Sequence, residues 1–372
     1  MLKIIKNVIF PGSLELLLYS FFILFEIMKN PFNEFFHVPS SKELLDIAFS
    51  RAMKSSAKVS KNAPIIIKAK KKETMRIKVA LKEIIDRILN IIKMVPIIDE
   101  LPDFYRELAS ILVDTDELKL TLGKLNGILP ILSQIEREYT KKLNQIEAPR
   151  DGDSLRRSAF GRISSIVNKQ NKNLLYLNSI RGRLKEIPSI DDTLPCVVVA
   201  GYPNVGKSSI VKEISTNKKI DVQEYPFTTK KLNLGHLQIK TRFDTVTLQI
   251  MDTPGILDRP MLKRNYIELQ AILALRLISD LILFIFDPTP SCGYNINDQV
   301  DLYHEIKEKF TKDGNVDVIV IFNKLDLAST QEIEHLKKEL DLRDGEFFLT
   351  NALSGENLDN LITYIISLYS ES

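Results

Sequence analysis

The stretch CVVVAGYPNVGKSS, Cys196 to Ser209, constrains the fold more than any other part of the chain. Cys196–Ala200 is an apolar run of strand length, and Gly201–Ser208 then spells G-x-x-x-x-G-K-S before an amphipathic segment begins. That order predicts strand, tight loop and helix, with the loop at the strand's carboxyl end. Each residue type has a chemical reason. Gly201 and Gly206 let the backbone bend until successive N–H groups face one concavity, where anionic oxygens bind. Lys207 supplies an ammonium for β- and γ-phosphates, Ser208 a hydroxyl for Mg²⁺, and the helix start the positive end of its dipole. The expected phosphate cradle is Gly201, Tyr202, Pro203, Asn204, Val205, Gly206, Lys207, Ser208 and Ser209.

From Pro195 onward, apolar strand candidates alternate with helical segments. The strands are Cys196–Ala200, Leu232–Ile239, Val246–Met251, Leu281–Phe286, Val316–Phe322 and Phe347–Leu349; helices include Lys263–Leu277, Asp298–Lys309 and Gln331–Leu340. This alternation predicts an α/β domain with a mostly parallel sheet and helices on both faces.

Four more motifs fall at strand ends or between elements. Asp252-Thr253-Pro254-Gly255 closes one strand: the carboxylate suits Mg²⁺ held through water, and the Gly255 N–H suits a γ-phosphate oxygen. Thr228 and Thr229, in YPFTTK, occupy a loop where either hydroxyl can ligate Mg²⁺. Asn323-Lys324-Leu325-Asp326 ends the strand VIVIFNK. A carboxylate there can accept from guanine N1–H and N2–H₂ together, a donor pair that adenine lacks. Asn351, Ala352 and Leu353, after the last strand, can present a backbone N–H to guanine O6. The set points to GTP and GDP with Mg²⁺, with Lys207, Thr229 and Gly255 acting on the γ-phosphate and Ser208, Thr229 and Asp252 on the metal.

The first half has a different character. Ser40-Ser-Lys-Glu43 is a capping box, opening a helix to about Arg51. Ser55–Lys72 collects lysines around Pro64 and reads as a loop. From Thr74, residues Ile77, Leu81, Ile84, Ile88 and Ile91 recur at helical spacing. Further helices are expected over Asp116–Ile146, kinked at Pro130, and over Ser154–Glu186, ending before Pro188. No strand pattern appears, so an all-α helical bundle should precede the α/β domain. The expected boundaries are 1–27, an apolar extension; 28–190, the bundle; and 191–372, the nucleotide domain.

Within the extension, Leu16–Phe25 is apolar for ten residues, bounded by Glu15 and Glu26. A membrane span needs about 20, so no stable span is expected. Two readings stay open for residues 1–27: a start codon assigned upstream of Met28, or a membrane-surface anchor. Two cysteines in 372 residues build no disulfide framework and fit a reducing cytoplasm. The four histidines lack metal-ligand spacing.

These motifs resemble the five-motif set of small GTPases. GYPNVGKSS, YPFTTKKLNLGH and DTPGILDRP, with VPSSKELLDIAF, LPDFYRELASILVDTDELKLTLGKLN and SAFGRISSIVNKQNKNLLYLNSIRGRL, are similar to the nucleolar GTP-binding protein (Nog) family of Obg-like GTPases. The resemblance runs from about Met28 to the end. It implies a P-loop GTPase domain behind a helical bundle, and a cytoplasmic assembly factor for the large ribosomal subunit. It also implies contacts with pre-ribosomal RNA and ribosomal proteins while the protein cycles through GTP. Eukaryotic members of the family carry a long extension after the GTPase domain; the resemblance here runs to Ser372, and the expected match is to a short form of archaeal type.

Charge distribution bears on the RNA expectation. Arg51–Lys93 holds thirteen basic and three acidic residues, a net +10 in a chain whose total is +3. Aromatics are absent there, which fits backbone and shape recognition rather than base stacking. For hydrolysis, Ile256 stands where Ras-type enzymes carry a water-orienting glutamine, so slow intrinsic turnover is expected. Asn204 either helps hold K⁺, as in potassium-activated GTPases, or only stabilises its loop. Two alternatives stand beside the assembly-factor reading. One is a GTP-dependent binding module with negligible turnover; the other is a membrane-surface GTPase resting on residues 1–27.

Overall fold

The computed structural model describes residues 30–216, 220–226, 231–240, 245–261, 264–311 and 316–370, except the side chains of Lys240, Pro290 and Ser370. Residues 1–27, and with them both readings of the extension, lie outside the described residues. Two compact units emerge. One comprises Pro31–Leu101 and Ala109–Glu186; the other comprises Asn30, Pro102–Leu108 and residues from Ile187 onward.

The first unit is helical. Its elements are α1 (Ser41–Lys54), α2 (Ile65–Met94), the end of α3 (Asp103–Leu112), α4 (Thr115–Asn144), α5 (Pro149–Lys169) and α6 (Asn171–Lys185). The Ser40–Glu43 capping box forms in full. Helix α2 packs against α1, α4 and α5. It buries Ile77, Leu81, Ile84 and Ile88, all essentially inaccessible, and α4 buries Leu125, Leu132 and Ile135. Burial of this kind stabilises by roughly 1.5–3 kcal/mol per large apolar side chain. A buried charge group joins α2 to α5: Glu73 accepts from Arg76 at 3.0 Å and pairs with Arg156 at 2.9 Å.

Two expectations for this half are corrected. Residues 65–72 are helix, not loop, because Pro64 fixes the chain at the helix start and its carbonyl accepts Lys68 N–H at 3.1 Å. The lysines that follow are good helix formers and need no apolar stripe to join one. The segment from Ser154 to Glu186 is two helices meeting at Gln170, whose N–H bonds Val167 O at 2.9 Å. Nearby, Asn168 and Asn171 accept from the Ser41 hydroxyl at 2.9 and 3.0 Å, so asparagine side chains serve long-range contacts at the break. The expected helix around Pro130 forms as α4, with Pro130 inside it.

The second unit is a seven-stranded sheet in the order β2-β3-β4-β1-β5-β6-β7. Strands β1 (Cys196–Ala200), β4 (Thr245–Asp252), β5 (Leu281–Phe286), β6 (Asp317–Phe322) and β7 (Phe347–Leu349) run parallel. Strands β2 (Asp221–Glu224) and β3 (Lys231–Lys240) add an antiparallel edge. Every residue of β1 and β5 is buried, as central parallel strands demand. Strand β2 has no apolar alternation, and periodicity does not predict it. It is a short edge element whose residues are mostly exposed, held by pairing with β3. The helices are α7 (Lys207–Ile214), α8 (Tyr266–Ala274), α9 (Ile296–Thr311), α10 (Thr330–Glu339) and α11 (Leu358–Ser370). Helix α7 packs on β1, β3 and β4, and α9 on β6. Because β1 lies between β4 and β5, its carboxyl end is the crevice where such sheets bind ligands. The chain is thus a P-loop α/β fold preceded by a helical bundle. Among the described residues, no helix is long and apolar enough to cross a membrane.

Candidate functional site

The loop after β1 turns on Gly201 (φ 133°), Asn204 (φ 63°) and Gly206 (φ 104°) before entering α7. A Cβ on Gly201 would lie 2.4 Å from the Ile285 carbonyl, and one on Gly206 would lie 2.1 Å from Asn323 Nδ2. Both glycines are therefore fixed by close approach as well as by backbone sign. Lys207 folds back beneath the loop, donating to the Gly201 and Tyr202 carbonyls at 2.7 Å each. Burial pushes its ammonium below the ordinary lysine range, while the carboxylates of Asp258 and Asp252 pull it back.

A cavity of about 610 Å³ gathers four segments that are remote in sequence. The phosphate loop contributes Pro203, Asn204, Gly206, Lys207, Ser208 and Ser209. The loop after β4 contributes Pro254 and Asp258. The turn after β6 contributes Asn323, Lys324, Asp326 and Leu327, and the turn after β7 contributes Asn351, Ala352 and Leu353. Most of the expected site residues therefore share one cavity. Tyr202, Val205 and Thr253 are buried instead, and support the loop from behind. Thr253 Oγ1 donates to the Val199 carbonyl at 2.8 Å. Thr228 and Thr229 lie outside the described residues.

Asp252 ends β4 with no exposed surface. Its Oδ2 accepts from Ser208 Oγ at 2.5 Å and from Asn233 Nδ2 at 3.0 Å, while Oδ1 is buried with no hydrogen-bond partner among the described residues. An orphaned carboxylate oxygen beside a serine hydroxyl is a donor set suited to a hard divalent cation such as Mg²⁺.

At the other end, Asn323 acts as a tie. Its amide donates to the Val205 carbonyl at 2.8 Å, and its Oδ1 accepts the Ala352 N–H at 3.0 Å and the Thr350 hydroxyl at 3.3 Å. The Leu353 N–H goes to Asn351 Oδ1 at 3.0 Å. Lys324, itself left-handed at φ 62°, donates to Asp287 Oδ2 at 2.7 Å and to Ser291 Oγ at 3.0 Å. Burial would raise the Asp287 carboxyl, but the bonds from Lys324, Thr289 and Ser291 hold it below the usual range. Asp326 is exposed at the cavity and makes no hydrogen bond among the described residues. The arrangement can seat anionic oxygens at one end and a flat group with adjacent donors at the other.

Asp258 is the site residue that motif reading missed. It is 8% exposed, lines the cavity, and accepts the Gly255 N–H at 2.6 Å. The available signal was a carboxylate three residues past Gly255, within reach of that N–H once φ at Gly255 is positive (74°). Ile256 and Leu257 are buried, and neither lines the cavity.

Residues 32–191 match the model of the NOG1 N-terminal helical domain, and residues 266–326 match that of nucleolar GTP-binding protein 1 (NOG1). An uncharacterized protein of Methanocaldococcus jannaschii is 34% identical over 306 residues, 82% of this chain and 83% of that protein. Nucleolar GTP-binding protein 1 of Drosophila melanogaster is 33% identical over 83% of this chain, and that of Arabidopsis thaliana 35% over 82%. The chain spans only 46% and 44% of those two proteins. Among solved structures, a nucleolar GTP-binding protein 1 from Plasmodium falciparum matches with TM-score 0.40 and 33% identity, covering 50% of this chain and 91% of its own. With both family models matched and a relative of similar length aligned over most of its own extent, the chain belongs to the nucleolar GTP-binding protein 1 family.

Proposed function

We propose that the cavity binds GTP and GDP with Mg²⁺, that the protein hydrolyses GTP slowly, and that it is a cytoplasmic assembly factor for the large ribosomal subunit. The observation that carries the guanine assignment is the exposed carboxylate of Asp326 at one end of a cavity whose other end is the phosphate loop. Guanine N1–H and N2–H₂ together match that carboxylate, and O6 can share the Ala352 N–H with Asn323. Adenine would leave the carboxylate unpaired. The relatives' name as GTP-binding proteins supports the same choice.

Lys207 would exchange its two carbonyl partners for β- and γ-phosphate oxygens, and Gly255 N–H would take a γ-phosphate oxygen. Ser208 and Asp252, with Thr228 or Thr229, would hold Mg²⁺, which neutralises phosphate charge. Buried Ile256 orients no water, so turnover should be slow until a partner supplies what is missing. Asn204 is exposed at the cavity mouth with φ 63°, a position from which its carbonyl can serve K⁺.

Ribosome assembly rests on the resemblance of the helical motifs and on charge segregation. Lys71 and Lys72 of α2 are exposed, as a phosphate-contacting surface requires. Buried Ile256 also favours a second reading, a GTP-dependent binding module with negligible turnover. Single-turnover hydrolysis with and without large-subunit precursors separates the two. Stimulation by precursors supports the enzyme; release on GDP exchange with no turnover supports the module. Calorimetry with GTP and ATP tests the site itself: equal affinities would end the guanine reading.

A further inference from the structure

The loop after β4 contains a carboxylate with two alternative partners. Asp258 Oδ2 accepts the Gly255 N–H at 2.6 Å, the same N–H that a γ-phosphate oxygen would claim. On its other side stands Arg264, whose side chain has no exposed surface. One guanidinium nitrogen of Arg264 donates to the Gly255 carbonyl at 3.3 Å and to Glu268 Oε1 at 2.7 Å; the other donates to the Ile256 carbonyl. Asp258 Oδ1 is 3.9 Å from that guanidinium, an ion pair without a close hydrogen bond. The remaining donor, Arg264 Nε, is buried with no acceptor among the described residues. A buried guanidinium with an unused N–H is incompletely satisfied, and a carboxylate is its best partner.

We propose that Asp258 sets the balance between nucleoside diphosphate and triphosphate at this site, holding the Gly255 N–H against a diphosphate and turning toward Arg264 when a γ-phosphate takes that N–H. The proposal rests on the guanine-nucleotide reading of the cavity. A diphosphate has no oxygen to compete at Gly255, so the Asp258 bond persists when it binds. A triphosphate must break that bond, because a carboxylate oxygen and a phosphate oxygen, both anionic, cannot close on one N–H together. Binding of the triphosphate therefore carries the loss of a charge-assisted hydrogen bond, partly regained at Arg264. Helix α8 contributes to the second position, because Glu268 near its start anchors the guanidinium and Asn265 caps the helix, accepting Glu268 N–H at 2.8 Å. Arg259 also donates to Glu268, at 2.9 Å, so the receiving group is fixed from both sides.

Asp258→Ala removes the competing carboxylate, and Asp258→Asn removes its charge at nearly constant volume. Titration calorimetry on the full chain with Mg²⁺ would measure affinity for GDP and for a non-hydrolysable GTP analogue in the wild type and both variants. The triphosphate-to-diphosphate affinity ratio should rise about tenfold or more in Asp258→Ala. It should rise less in Asp258→Asn, whose amide oxygen still accepts the Gly255 N–H. An unchanged or lowered ratio in Asp258→Ala, with guanine nucleotides still bound, overturns the assignment of Asp258 alone. Loss of all nucleotide binding in both variants, with circular dichroism unchanged, would make Asp258 a structural support and also overturn it. A wild type that binds guanine nucleotides no better than adenine nucleotides would remove the underlying reading, and this one with it.

Discussion

Asn323 donates its side-chain amide to the Val205 carbonyl at 2.8 Å, tying the end of β6 to the middle of the phosphate loop. The same side chain takes the Ala352 N–H, so one residue sets the spacing between the phosphate end and the base end of the cavity. Both bonds are buried, where an unpaired polar group costs most.

Asn323→Ala should therefore destabilise the nucleotide unit by about 1–3 kcal/mol and weaken GDP binding by an order of magnitude or so. Gly206→Ala should act on the same contact, since its Cβ would meet Asn323 Nδ2 at 2.1 Å on a left-handed backbone. Urea unfolding and GDP titration check both. Stability and affinity at wild-type values in Asn323→Ala would show that the two loops are positioned by other contacts.

Lys71→Ser with Lys72→Ser should weaken binding to large-subunit RNA and flatten its salt dependence. Each phosphate left without its lysine lowers the slope of log affinity against log salt by roughly 0.9 on a duplex. Lys70 is left in place because it donates to the Asn144 carbonyl at 2.7 Å, at the end of α4, and its removal would disturb packing. Filter binding across a salt series measures the slope. An unchanged slope returns these lysines to an ordinary solvated helix face.

The parts legible from sequence are those whose signal is local. The phosphate loop, Asp252 to Gly255 and Asn323 to Asp326 each lie within a few consecutive residues, because one backbone turn must present them together. Their convergence in one cavity follows from the parallel strand order, which alternating apolar runs already implied. Asp258 escaped because its role depends on Gly255 having a positive φ and on Arg264 lying nearby, neither of which a motif encodes. Residues 65–72 escaped because an exposed, lysine-rich helix start shows no apolar periodicity. Strand β2 escaped because backbone pairing to β3 holds it, with little side-chain burial.

His236, in β3, has a pKa lowered from 6.5, chiefly by burial, against the opposing pull of Asp221 and Asp191. The unfolded chain then binds a proton that the folded chain refuses. This contribution is fully present above 6.5 and is lost as pH falls through the lower folded value. His236→Phe, which cannot titrate, should flatten the stability–pH curve below 6.5. Urea midpoints from pH 5 to 8 check this; equal slopes in variant and wild type would assign the acid sensitivity to other groups.

GTP hydrolysis should run faster in potassium than in sodium at equal ionic strength, and Asn204→Ala should abolish the difference. Lys207→Ala should impair phosphate binding in either salt. Equal wild-type rates in the two cations would leave Asn204 the role of stabilising its loop.

Replacing Asp326 tests the central claim most directly. In Asp326→Asn the acceptor for guanine N2–H₂ becomes an amide, which can instead donate to the carbonyl that xanthine carries there. Calorimetry with GDP and xanthosine diphosphate should show wild type preferring GDP, and Asp326→Asn preferring the xanthine nucleotide, with the ratio of affinities moving by on the order of a hundredfold. A variant that keeps the wild-type preference for GDP would contradict the assignment of this cavity as a guanine-nucleotide site.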